Sequence, residues 1–175
     1  MAAVVSHEAK YNTFVPRFWA GFVDGLILFA VGLVDMVIFS SGIFWLTIAW
    51  IPVSHSIAWA YNVVCHGLYG KTLGKHVMKI MVVDNKTEIK ITWAQAFLRD
   101  SFFIVVNTLA VAIDLYCIAT GVTQLSPGLL AVAFVLNYGP LMWFVTEIVT
   151  CLTNHKRRAL HDFIAGTVVV RSDIN

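Results

Sequence analysis

The sequence predicts an all-α membrane protein, a four-transmembrane-helix bundle forming one domain over residues 1–175, and three observations lead to that reading. Hydrophobic residues make up 59% of the chain and charged ones 13%, outside the range of soluble domains, so lipid is its natural solvent. Four apolar stretches, about 17–39, 43–66, 97–119 and 127–150, reach the roughly 20 helical residues that ~30 Å of hydrocarbon requires. All 12 Lys and Arg residues lie at or beyond one set of ends of those stretches, and none lies in the two short gaps at the other set.

Along the chain, Met1 to Pro16 carries Glu8 and Lys10, and the first apolar run that follows is too long for a signal-peptide core and lacks a cleavage-like ending. It is read as a retained first span. Ser40, Ser41 and Gly42 form an uncharged turn to the second span, and Thr120 to Ser126 forms its counterpart between the third and fourth. Lys71 to Met78 alternates basic and apolar residues like a short helix at the headgroups. Lys79 to Asp84 reads as a strand, Asn85-Lys86-Thr87 as a turn, and Glu88 to Thr92 as a second strand. After the fourth span, Lys156 to Ala165 repeats the surface helix and Thr167 to Arg171 the strand. With cations at Lys10 and Arg17, from Lys71 to Arg99 and from Lys156 to Arg171, the positive-inside rule places both termini in the cytoplasm, N-in and C-in. A bacterial inner membrane is the natural setting.

Sliding the chain by 87 positions sets Leu73 on Leu160 and Ile80-Met81-Val82-Val83 on Thr167-Val168-Val169-Val170. The chain reads either as two copies of one unit (two spans, a surface helix and a strand) in a parallel two-fold arrangement, or as two hairpins with similar flanks. In the first case the two strands pair and close the cytoplasmic face.

Ionisable residues within spans are costly, on the order of 2.5–3.5 kcal/mol each on insertion scales, so each requires a partner or a watery cavity. On the first span Arg17, Asp24 and Asp35 fall on one helical stripe, beside a Gly21/Gly25 pair that would admit a close helix. On the third, Asp100, Asn107 and Asp114 recur at heptad spacing. Counting depth at about 1.5 Å per residue brings Asp24, His55 and Asn107 to similar levels, with Glu147 shallower. The expectation is one polar centre of Asp24, His55, Asn107 and Glu147, which either fixes helix packing or binds a proton or cation. Asp162 is expected to accept from Arg17, Arg99 or Arg158 at the membrane boundary.

Several of these residues together resemble the RDD family of small multipass membrane proteins. The matching pieces are Pro16-Arg17-Phe18-Trp19-Ala20-Gly21-Phe22-Val23-Asp24, then Gly70-Lys71-Thr72-Leu73-Gly74-Lys75 with Ile80-Met81-Val82-Val83-Asp84, and Arg158-Ala159-Leu160-His161-Asp162 with Ala165-Gly166-Thr167-Val168. The resemblance implies a multipass domain associated with transport of unspecified ligands, some members being linked to sodium–proton exchange. It matches Arg17 and Asp24 to the family's arginine and first aspartate and Asp162 to the second. Gly74-Lys75-His76 stands where the family usually has Gly-Lys-Arg.

No nucleophile elbow, metal-protease helix or paired catalytic carboxylates is present, and Gly70-Lys71-Thr72 lacks the preceding glycine of a phosphate-binding loop, so no enzyme is expected. Neither cofactor nor metal is expected, nor a nucleic-acid partner, the net charge being only +2. Cys65, Cys117 and Cys151 are too far apart for a redox or metal pair. Two functions remain: a transporter or cation/proton exchanger using the intramembrane acidic site, and a non-catalytic scaffold or assembly subunit. The expected partners are membrane lipids and either further copies of the chain or other membrane-protein subunits.

Overall fold

The computed structural model describes residues 7–122 and 124–173, so the expected leading segment is seen only from His7 onward. In order the elements are α1 (His7–Tyr11), α2 (Phe14–Ser40), α3 (Phe44–Tyr69), α4 (Leu73–Val77), β1 (Ile80–Asp84), α5 (Trp93–Thr120), α6 (Pro127–Thr153), α7 (Leu160–Ala165) and β2 (Thr167–Arg171). The four long helices run from 26 to 28 residues. At 1.5 Å per residue each is about 40 Å long, more than the hydrocarbon core needs.

Three helical stretches are both long and apolar enough to cross a membrane: Ala9–Ser40, which contains α2, and the helices α5 and α6. The fourth, α3, has the length but not the hydropathy, because Pro52, Ser54, His55, Ser56, Tyr61, Asn62 and His66 interrupt its apolar residues. In the most apolar windows of α2, α5 and α6, only 6%, 0% and 0% of residues are buried within the protein. Their side chains, such as Phe29, Met36, Phe134 and Met142, stand on the outer surface, the inverse of a soluble fold and what a lipid solvent requires.

The packed core lies at one end of the bundle, where both ends of the described chain and the segment between α3 and α5 meet. Ala20, Val63, Ile80, Val82, Ile91, Ala96 and Val169 form its centre. The strands β1 and β2 pair antiparallel, with Ile80 opposite Arg171, Val82 opposite Val169 and Asp84 opposite Thr167. Glu88 to Thr92 is not a strand: it makes one isolated bridge, Val83 to Lys90, because Glu88 takes a positive φ of 55° and Thr92 turns away to cap α5. The surface helices are also shorter than expected, α4 covering only Leu73–Val77 and α7 starting at Leu160.

Local geometry recurs at the 87-residue offset. Positive φ occurs at Gly70 (68°) and Arg157 (49°), ahead of α4 and α7, and again at Lys79 (54°) and Gly166 (66°), between each short helix and its strand. The paired residues Val82 and Val169 are themselves 87 positions apart.

Candidate functional site

Asp24 is buried, and its carboxylate is committed to α3 and to the start of α4. Its carboxylate accepts from Thr72 Oγ1 at 2.6 Å, Gly74 N at 2.8 Å and Tyr61 Oη at 2.8 Å, and Tyr61 Oη in turn accepts from Leu73 N at 3.0 Å. An aspartate on α2 therefore satisfies the orphan amides that open α4. This needs the backbones nearly in contact, since a Cβ on Gly74 would lie 2.1 Å from the Ala20 carbonyl oxygen. The Gly21/Gly25 pair is not such a contact within this chain, because a Cβ on either meets nothing within 4 Å.

Asp162 holds the opposite corner. It is fully buried on the first turn of α7 and accepts from Arg17 Nη1 at 2.5 Å, from Arg99 Nη1, from Thr167 Oγ1 at 3.1 Å and from Ala159 N at 3.0 Å. Burial alone would raise its carboxyl, but the Arg17 and Arg99 guanidiniums outweigh that and hold it well below the usual carboxylate range. Arg158 binds the same turn through its backbone, donating to the Asp162 and Thr167 carbonyls at 2.8 and 2.9 Å. Arg17 and Arg99 thus share one carboxylate across three helices, and each engages it through one nitrogen.

The four residues expected to form one polar centre lie in three places. Asp24 is at α4. His55 Nδ1 is 3.2 Å from Asn107 Oδ1, and its Nε2 is 3.5 Å from Asp114, farther toward the opposite end. Glu147 is bonded to His161 Nδ1. Depth along the axis did not bring them together because the side chains leave their helices in different directions. The heptad stripe of α5 packs against α3, with His66 4.0 Å from Asp100 and His55 against Asn107 and Asp114. Asp35 is bound by Trp50 Nε1 at 2.6 Å.

Between α2, α3, α5 and α6 at the packed end lies a cavity of about 260 Å³. Arg17, His66, Lys75, Arg99, Asp100, Glu147 and His161 supply its ionisable wall, and Phe14, Phe18, Phe103 and Phe144 much of the apolar one. Its carboxylates are engaged: Glu147 by His161, Asp100 by Asn62. Its donors are not. Among the described residues Arg17 Nη2, Arg99 Nε and both ring nitrogens of His66 are buried without a hydrogen-bond partner, and Lys75 forms no ion pair. Burial, reinforced by Arg99, pushes the Lys75 ammonium down to about 8.

No metal-holding group of three or more His, Cys, Asp or Glu occurs among the described residues. Sequence reasoning missed His66 and Lys75. His66 lies eleven residues after His55, so the stripe arithmetic applied to α2 would have placed both on one face of α3. Lys75 stood out only as part of the family-like Gly70 to Lys75 piece, and its place at the cavity was not legible because it follows from how Gly74 seats α4 on α2. Comparison with protein families matches the RDD family over residues 11–166. No curated protein and no solved structure matches the chain.

Proposed function

The chain belongs to the RDD family, and from that membership together with the cavity we propose that it is a proton-coupled membrane transporter rather than an enzyme. The observation that carries this is the cavity itself. A transporter requires its buried ionisable groups to face a space that a solute can enter, whereas a scaffold would bury them against helices. Here seven ionisable side chains border one void at the end of the helices. Asp24 is not the exchanging group in this reading, because three donors already hold it in place. The proton is carried instead by a carboxylate of the cavity wall, and Asp100 is the one assigned that role.

In this reading all four long helices cross the membrane, the polar residues of α3 facing α5 and the cavity. The packed, cation-rich end is cytoplasmic, giving N-in and C-in topology in a bacterial inner membrane. The recurring φ values and the Val82–Val169 pairing support two parallel copies of one unit about an axis through that pair. A unit this small acts as a homo-oligomer or with other membrane subunits. Cation/proton exchange is the narrower form of the reading, but the spare donors of the wall favour an anion moving with protons.

The test is flux in liposomes carrying a lumenal pH dye. An inward gradient of hexanesulfonate, permanently ionised and unable to cross as a neutral acid, should acidify the lumen, and Asp100→Asn should abolish the signal in folded protein. Proton release driven by sodium alone would return the cation exchanger. Silence of the folded parent under both gradients would return the scaffold.

A further inference from the structure

From the wall chemistry of the cavity we infer that its ligand is an anionic amphiphile, a phosphate-type oxyanion carried on an apolar chain. The inference rests on the transport reading only in calling this ligand a substrate; binding is a separate property. Every carboxylate near the cavity is already engaged: Asp162 by two arginines, Glu147 by His161, Asp100 by Asn62. What remains is almost entirely donor capacity, from Arg17 Nη2, Arg99 Nε, the Lys75 ammonium and the imidazole of His66. His66 and Arg99 are only 3% and 6% exposed, so their donors meet little solvent. Buried donors without partners cost on the order of 1–3 kcal/mol each, and structures retain them where a ligand completes them.

The two guanidiniums are held by opposite oxygens of one carboxylate, which fixes them side by side with their unused N–H groups free. The four donor side chains come from four different elements, and a tetrahedral phosphate, with more oxygens and more charge than a planar carboxylate, meets donors converging from that many directions and pairs with arginine forks. The rest of the wall is aromatic, with Phe18 and Phe144 among it, and these residues suit an acyl or alkyl chain. The volume holds a headgroup and the first carbons of a chain, and the remainder would lie among the exposed apolar faces of the helices.

The source is either a bilayer lipid or a soluble phosphate ester, and the experiment separates them. Purified protein in neutral detergent is titrated with phosphatidic acid, phosphatidylcholine, hexyl phosphate and inorganic phosphate, and binding is read by native mass spectrometry and by melting temperature. Saturable binding of phosphatidic acid or hexyl phosphate, at least tenfold weaker in Lys75→Gln and lost in Gly21→Leu, is expected, and the tighter of the two names the source. Gly25→Leu, on the same helix but off the cavity, keeps parental binding and controls for folding. Equal affinity for inorganic phosphate overturns the apolar half of the inference. Absence of binding by all four, preference for phosphatidylcholine, or binding unchanged in Lys75→Gln and Gly21→Leu overturns the whole. Because no gradient is imposed, binding without flux would remove the transport reading and leave this one standing.

Discussion

Replacing Asp162 by Asn should be among the most destabilising single changes in the chain. The carboxylate is fully buried and accepts from two arginines, one hydroxyl and one backbone amide. Asn keeps the shape and one acceptor but leaves Arg17 and Arg99, whose side chains are 13% and 4% exposed, without a counter-charge. Two charge-assisted hydrogen bonds at roughly 1.5–3 kcal/mol each give about 3–6 kcal/mol, and the cavity beside Arg17 returns part of that by hydration. Breaking a buried pair from one side costs about 3–5 kcal/mol, so the expectation is ~4 kcal/mol, near a thousandfold in the unfolding equilibrium. Reversible SDS titration in mixed micelles, read by tryptophan fluorescence, measures it. Arg17→Gln should cost less alone, because Arg99 still holds Asp162, and the double variant should cost clearly less than the two singles combined. Because the folded carboxyl lies well below its unfolded value near ~3.9, its contribution is fully present above pH ~4 and is lost only as pH falls further. The parent–variant gap should therefore be flat from pH 8 to pH ~5. A cost under about 1 kcal/mol, or additivity of the two singles, would refute the shared-carboxylate account.

Other consequences are as direct. Gly74→Ala should destabilise by about 3 kcal/mol or prevent folding, since its Cβ would meet the Ala20 carbonyl, whereas Gly25→Ala should be neutral or slightly stabilising; the same titration decides. Asp24→Ala should loosen α4 and lower stability by about 2 kcal/mol or more, with faster amide exchange at Gly74. Lys75→Met should stabilise the protein at pH 7, and the advantage should shrink as pH rises through about 8, because the buried amine then loses its proton in the parent; an advantage that grows with pH would contradict the burial of Lys75.

Much of this architecture is legible in the amino-acid sequence. The uncharged turns at Ser40 to Gly42 and Thr120 to Ser126 marked where long helices end, and the alternation at Thr167 to Arg171 marked β2. Heptad spacing in α5 identified a face that does pack on α3. Asp162 was expected to meet an arginine at the membrane boundary, and it meets Arg17 and Arg99. The strand expected at Glu88 to Thr92 failed because tertiary contacts overrode its alternation: Glu88 binds Lys10 and Tyr11 from α1 with its backbone at positive φ. The single polar centre failed because residue counting fixes depth but not direction, and Asp24 turns to α4 rather than toward His55. The cavity was not legible at all, since it arises from four helix ends spaced around α4 and α7.

The most direct test of the account is to fill that cavity. Gly21 lines it, and a Cβ there meets nothing within 4 Å, so the Gly21→Leu side chain starts into open space at the cavity wall. In liposomes with a lumenal pH dye, the account predicts hexanesulfonate-driven acidification by the parent and by Gly25→Leu, and none by Gly21→Leu at equal protein content and melting temperature. Parental flux through Gly21→Leu would contradict it, because the solute would then be crossing somewhere else.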